Sequence, residues 1–252
     1  MIVSEHHNDF EMVKQHDHAI ISGEAAKHWK AELFIGDFLR REVEYAIKNH
    51  DCAWIPLDQS PIWNSKKNAP HSFMDYPLIP KIEHYSQGID QVEEQSEYAV
   101  ILCSQHYLSF FDKDSTDSTI SMFISREIER QRRIKELMST QVPERITRFH
   151  FHLLQFCDDL SLYLCLNKPG VPKEQEHPMF KNGFRQEFPG IDNRIEARWL
   201  DEQTISVNPN PFIEVFTVQI PYKTVRKDLI QEQGLSQAYQ IAPEKHREVT
   251  IK

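Results

Sequence analysis

The stretch IKNHDCAWIPLDQSP, Ile47 to Pro61, decides how the chain is read. A helical pattern runs into it, and Pro56 and Pro61 end that pattern. At the junction stand His50 and Asp51, side by side. One reading is a helix-terminal histidine beside a capping aspartate. The other is half of a metal site, provided that partners of the right chemistry arrive from elsewhere in the chain.

Upstream of the pair, Phe34, Phe38, Val43, Ala46 and Ile47 recur at helical spacing, so residues 31–50 are expected as a helix ending near His50. Before it, HDHAIISGEAAKHW reads as a helix with Asp17 as N-cap. Its small residues Ser22, Gly23, Ala25 and Ala26 call for a closely packed neighbour. Residues 2–14 read as two short strands around a turn at His7-Asn8-Asp9. Downstream, Pro56, Pro61, Pro70, Pro77 and Pro80 rule out a continuous helix over residues 55–80, and a long loop of this kind is often functional. EYAVILCSQHYLSFF reads as a short buried helix, and residues 118–140 as an amphipathic one. PERITRFHFHLLQFCDDLSLYLCL carries the strongest helical stripe: Ile146, Phe149, Leu153, Phe156, Leu160 and Leu164. After Leu166 a loop gives way to β-rich segments RIEARWL, TISV and FIEVFTVQIPYKTV, a helix near 228–239 and a last strand EVTIK. The expectation is an α+β fold, mainly α. Residues 1–252 form one domain, with a helical core over 15–166. Residues 1–14 and 190–252 add a β-rich elaboration, a small antiparallel sheet.

The chain has 252 residues, 40% hydrophobic and 27% charged, enough apolar surface for a sizeable core. Its net charge of -9 disfavours nucleic acid and anionic membranes as partners, though not a small phosphorylated substrate in a metal pocket. The four cysteines, Cys52, Cys103, Cys157 and Cys165, form no CxxC pair and are expected as reduced, buried thiols. The opening MIVSEHHNDF has no apolar signal core, and runs such as AVILC are too short to span a bilayer, so a cytoplasmic location is expected. Self-association into a homo-oligomer stays open.

Helical projection, at about 100° per residue, sorts the polar candidates. His18 shares a face with Ser22, Ala25 and Trp29. His50 continues the stripe of Val43, Ala46 and Ile47, and His106 shares a face with Leu102, Cys103 and Phe110. Asp158 falls opposite the stripe of its helix and is expected to face water, whereas Asp159 lies on the stripe's edge, turned inward. A buried carboxylate needs a cation, a donor network or a metal. Imidazole with carboxylate suits zinc, iron or manganese, and helical bundles build such sites from facing helices. Each candidate has a plainer reading as well. His18 or its rival His16 fits a hydrogen-bonded core histidine, as does His106, and Asp159 fits an ion pair with an arginine. His6, His7 and His28 are expected on the surface.

The order His18, His50-Asp51, Asp159 resembles the H…HD…D signature of the HD-domain superfamily. The phrases QHDHA, NHDCAW and DDLSLYLC resemble an uncharacterised bacterial family of unknown function over most of the chain. The superfamily resemblance covers residues 18–165 and implies a helical fold that holds one or two divalent ions. Most characterised members are phosphohydrolases; a minority are di-iron oxygenases with further histidines between the HD pair and the last aspartate. On this resemblance His18, His50, Asp51 and Asp159 would hold the primary metal. Asp51 would bridge to a second ion on His106, with His71, His84 or His152 as further candidates. A metal-bound water would be the nucleophile. Asp58 would position a proton or a second histidine, so Asp51 and Asp58 are the candidate catalytic carboxylates. Lys66 and Lys67 would either meet a substrate anion or lie solvated on the surface. The C-terminal sheet departs from the plain HD pattern.

Other chemistries fit less well. Seven glycines leave no room for a phosphate-binding glycine loop, and no GxSxG elbow occurs. The cysteines sit in apolar contexts. The aromatic residues are spread through periodic segments and read as core. The leading expectation is therefore a metal-dependent hydrolase of a phosphate ester or phosphoanhydride, with iron, manganese or zinc as cofactor and a small molecule as partner. The alternatives are a di-iron oxygenase and a non-catalytic binding or regulatory protein.

Overall fold

The computed structural model describes residues 1–252. Strands β1 (Ile2–Glu5) and β2 (Asp9–Val13) form the expected antiparallel hairpin, and α1 (Gln15–Lys27) follows directly. Helix α1 starts earlier than expected: Lys14 is its N-cap and Asp17 lies in its first turn. The small residues of α1 do what their size suggests. A Cβ added at Gly23 would stand 2.8 Å from Lys48 Cβ, so α2 (Arg40–Asn49) can approach only because that position is glycine.

Residues 31–50 are not one helix. Two single 3-10 turns, Ala31–Leu33 and Asp37–Leu39, precede α2. Gly36 between them has φ +81, a left-handed conformation that interrupts helical propagation. Phe34 is buried while Phe38 is exposed, so the spacing of the two phenylalanines did not mark one face. His150 ties this break to the core. Its Nε2–H donates to the Ile35 carbonyl (2.8 Å), which leaves Nδ1 to accept from the Tyr98 hydroxyl (2.6 Å).

The proline-rich stretch is more ordered than a loop. It holds α3 (Ile55–Gln59) and a small hairpin of β3 (Trp63–Asn64) and β4 (Ala69–Pro70). Helix α4 (Leu78–Glu93) was not anticipated, and Pro80 sits in its first turn, where a missing N–H costs nothing. Gly88 lets α4 press on the segment after the HD pair: a Cβ there would meet Ala53 Cβ at 2.6 Å. Helices α5 (Glu97–Leu108), α6 (Ser118–Leu137) and α7 (Glu144–Leu166) fall where expected. Ser96 and Asp117 accept backbone N–H bonds at the starts of α5 and α6.

The sheet is larger than expected and is not purely antiparallel. It continues with β5 (Glu196–Asp201), β6 (Thr204–Asn208), β7 (Phe216–Arg226) and β8 (Glu244–Ile251), in the order β1-β2-β7-β8-β6-β5. Both chain ends thus enter one six-stranded sheet, in which β6 and β8 run parallel. The expected single helix near 228–239 is two, α8 (Lys227–Gln233) and α9 (Leu235–Ile241), parted by Gly234 at φ +81.

A core cluster of 52 buried residues joins helical side chains such as Val43, Leu102 and Leu153 to sheet residues such as Trp199, Ile205 and Val218. A second cluster, of 9 residues, packs Phe10, Met12 and Val225 under α8 and α9. Ile2 and Val13 belong to the first cluster, so the N-terminal hairpin is covered on both faces. No helix is long and apolar enough to cross a membrane.

His150 generates a pH prediction. Burial holds its imidazole down at about 4, below its ordinary value of 6.5. A depressed basic group favours the folded state fully above the unfolded value and loses that contribution as pH falls toward the folded value. The stability advantage of the wild type over His150→Asn should therefore shrink between pH 6.5 and 4, by at most about 1.4 kcal/mol per pH unit. Urea unfolding of both proteins across this range measures it. A constant difference would contradict the assignment.

Candidate metal centre

Four helices deliver polar side chains to one buried point. His18 comes from α1, His50 is the C-cap of α2 with Asp51 beside it, His106 comes from α5 and Asp158 from α7. They form two overlapping groups, His18/His50/Asp51 and His50/His106/Asp158, each with candidate ligand atoms within 4.8 Å of one another. Both histidines of the first group have fully buried side chains, and what little exposure exists belongs to the carboxylates: 5% for Asp51 and 9% for Asp158.

The hydrogen bonds fix how the histidines face the cluster. His50 Nδ1–H donates to the Ile47 carbonyl (2.7 Å), which aims Nε2 into the cluster. His50 Nε2 has no hydrogen-bond partner; its nearest carboxylate oxygens are Asp158 Oδ1 at 3.4 Å and Asp51 Oδ2 at 3.8 Å. His18 Nε2 lies 2.8 Å from Asp51 Oδ2, and His18 Nδ1 lies 2.7 Å from the Ser161 hydroxyl. An ionised carboxylate only accepts, so His18 Nε2–H donates to Asp51 Oδ2 while Nδ1 faces the Ser161 hydroxyl. His106 Nε2 is 3.9 Å from Asp158 Oδ2, and His106 Nδ1 has no partner.

The electrostatics follow from burial and charge balance. Burial opposes a charge on His50, but Asp51 and Asp158 outweigh it and hold its imidazole up at about 9. Burial would raise both carboxyls; His50, with His18 close by, instead holds Asp51 and Asp158 below the usual carboxylate range. Burial and the neighbouring His50 push His106 down to about 4.

The position of the last aspartate has to be corrected. Asp158, expected in water, is 6% exposed and faces His18, His50 and His106. Asp159 is buried to the same 6% but turns the other way. There it accepts from Gln186 Nε2 (2.7 Å) and lies 3.4 Å from Arg185 Nε, so the plainer reading, a pair with an arginine, is the one found. Burial and the adjacent Asp158 raise the Asp159 carboxyl to about 6. The projection failed because it assumed a wet face. Residues 156–165 of α7 are buried without interruption, so the helix has two dry sides. The second side carries Leu154, Cys157, Ser161 and Cys165, and that stripe of small and weakly polar residues was the available signal.

Asp58 is buried but does not line the cluster. Its Oδ1 lies 2.6 Å from the Met1 α-amino group, and its Oδ2 accepts the Gln15 backbone N–H at 2.6 Å. Burial raises this carboxyl, partly offset by the ammonium. Its link to the centre runs through Gln15, whose Nε2 donates to Asp51 Oδ2 (3.1 Å). Gln15, Ser22 and Ser161 had no sequence signature as site residues. Lys66 and Lys67 are exposed in the β3–β4 turn, and Lys67 pairs with Asp75 at 2.8 Å. His71 bonds the Asp75 carbonyl, and neither it, His84 nor His152 joins the cluster. His28, expected exposed, is mostly buried and stacks on Phe216 at 4.0 Å. The four cysteines are buried and unpaired.

The chain belongs to the family described as "Protein of unknown function (DUF3891)", whose model matches residues 1–227. This agrees with the expectation of an uncharacterised family of unknown function. The matched span contains every residue of the cluster. No curated protein and no solved structure matches the chain.

The geometry separates the two adjacent aspartates. Asp158→Asn should abolish retention of a divalent ion, while Asp159→Asn keeps it, as read by elemental analysis of protein purified without tag or chelator. Equal metal content in both variants would break the assignment.

Proposed function

We propose that the cluster is a metal centre of the HD type and that the protein is a metal-dependent hydrolase. The observation that carries the reading is a set of orphaned buried atoms. His50 Nε2, Asp51 Oδ1 and His106 Nδ1 have no hydrogen-bond partner, yet all belong to the residues that converge here. An unsatisfied buried polar atom costs about 1–3 kcal/mol, and more when charged. His50 Nε2, which faces both the Asp158 and Asp51 carboxylates without a partner of its own, fits a cation held between them.

The donor set agrees. Three imidazoles and two carboxylates suit zinc, iron or manganese. Two carboxylates neutralise one divalent ion, and Asp58, the next nearby acid, is committed to Met1 and Gln15. Charge balance therefore favours one ion over two, which lends the di-iron oxygenase reading less support. His18, His50, Asp51, His106 and Asp158 would hold the ion, with Asp158 filling the last place of the H…HD…D pattern. Bound there, a divalent cation supplies a Lewis acid that acidifies a water at neutral pH.

The chain's own residues set up the rest. Gln15 fixes Asp51 through Oδ2 and leaves Oδ1 free. Ile47 fixes the tautomer of His50, and Ser161 steadies His18. The histidine side chains are 0–2% exposed and the carboxylates 5% and 9%, so a substrate would approach on the side of Asp51 and Asp158. The resemblance to phosphohydrolases makes a phosphate ester or anhydride the substrate class.

The closure of the shell also favours a second reading, in which the ion only braces α1, α2, α5 and α7, since structural sites are closed and catalytic ones keep an open position. Activity separates the two. Protein loaded with manganese, iron or zinc should hydrolyse members of a panel of phosphate monoesters, diesters and nucleotides. His50→Ala should lower the rate by about a thousandfold or more. If no member of the panel is cleaved while metal removal lowers the thermal midpoint, the bracing reading stands instead.

A further inference from the structure

A cavity lies away from the candidate metal centre. It has a volume of about 830 Å³ and lies between α5, α6 and the start of α7. That is within the range of pockets that hold small organic ligands. Its α5 wall is made by Tyr98, Ile101, Gln105 and Leu108, spaced at three and four residues, whereas His106 points from α5 into the other cluster. The cavity is therefore a separate feature on a different face of the same helix.

Its chemistry is two-sided. Ile124, Met138, Val142 and Phe151 join Ile101 and Leu108 in an apolar lining. Lys113, Lys135 and Arg148 supply the only cations of that lining, and Glu144 its only acid. Glu144 is already paired with Arg148 at 3.2 Å, which leaves the two lysines as uncompensated charge. The chain as a whole carries a net charge of -9, so a net positive cavity mouth runs against the composition. Apolar surface large enough for a chain, with ammonium groups at its edge, is complementary to one kind of ligand.

We propose that this cavity binds a soluble amphipathic anion, a single apolar chain ending in a carboxylate or phosphate. The chain lies along Ile101, Ile124 and Phe151, and the anionic head meets Lys113 and Lys135. Ionic attraction at an exposed edge is modest, so burial of the apolar chain supplies most of the affinity and the lysines select the charged head.

Decanoate, below its micelle-forming concentration, is the probe. Calorimetric titration of the intact protein should give saturable binding of one decanoate per chain, with Kd on the order of tens of micromolar. Decanol, of equal chain length without the charge, should bind about tenfold more weakly. Ile128 lines the cavity and is exposed, as are Lys113 and Lys135, so changes at these positions spare the core. Ile128→Glu and the double variant Lys113→Glu/Lys135→Glu should each weaken decanoate about tenfold, with unchanged thermal midpoints. Absence of saturable binding, equal affinity for decanol, or full affinity in these variants would overturn the proposal. So would association only with anionic phospholipid vesicles, which would mark the lysines as a membrane-facing patch.

Discussion

Asp51 and Asp158 are two carboxylates taken out of water beside three imidazoles, and the helical half of the molecule is organised around balancing them. Burying one ionised carboxylate without compensation costs several kcal/mol; two within one shell repel as well. The compensation comes from three separate helices, α1, α2 and α5. Asp51 and Asp158 hold the His50 imidazole up at about 9, where burial alone would push it down. His18 and Gln15 share Asp51 Oδ2. These short bonds require α1 to stand at a fixed distance from Asp51. That constraint explains why the close approaches at Gly23 and Gly88 lie directly behind the HD pair: α2 and the Cys52–Trp54 turn must be held in one place for Asp51 to reach α1.

The sheet contributes to the same balance from the opposite side. Tyr163 on α7 stacks on Trp199 of β5 at 6.1 Å and donates to Glu176 at 2.7 Å, so the sheet and its preceding loop cover the side of α7 that a simple amphipathic helix would give to water. With both sides dry, Asp158 and Asp159 cannot share a partner. One is served by imidazoles, the other by Gln186 and Arg185. The two carboxyls accordingly move apart, Asp158 downward and Asp159 up to about 6. The N-terminal hairpin acts similarly. Its first residue meets Asp58, and Gln15, just past its second strand, links Asp58 to Asp51, so the sheet and the buried cluster are joined through hydrogen bonds as well as through the core.

What was legible in the sequence follows from how local each determinant is. The inward direction of His18, His50 and His106 was legible because each falls in step with apolar or small residues of its own helix. Helices α1, α5, α6 and α7 were legible from apolar residues at helical spacing, and the hairpin from two short apolar segments around a His7-Asn8-Asp9 turn. Residues 31–50 misled because two phenylalanines happened to match a helical period across Gly36, whose backbone conformation breaks it. Helix α4 was hidden by prolines that in fact lie before or in its first turn. The parallel pairing of β6 with β8 joins residues such as Ile205 and Ile251, too far apart for any local pattern to couple. The choice between Asp158 and Asp159 is the clearest limit. On a helix buried all round, neighbouring residues are about 100° apart and equally dry, so periodicity ranks neither. Only the surroundings distinguish them: a sheet and a glutamine on one side, three histidines on the other. Those surroundings are assembled from α1, α2, α5 and the segment after α7, and no window of sequence around the two aspartates contains them.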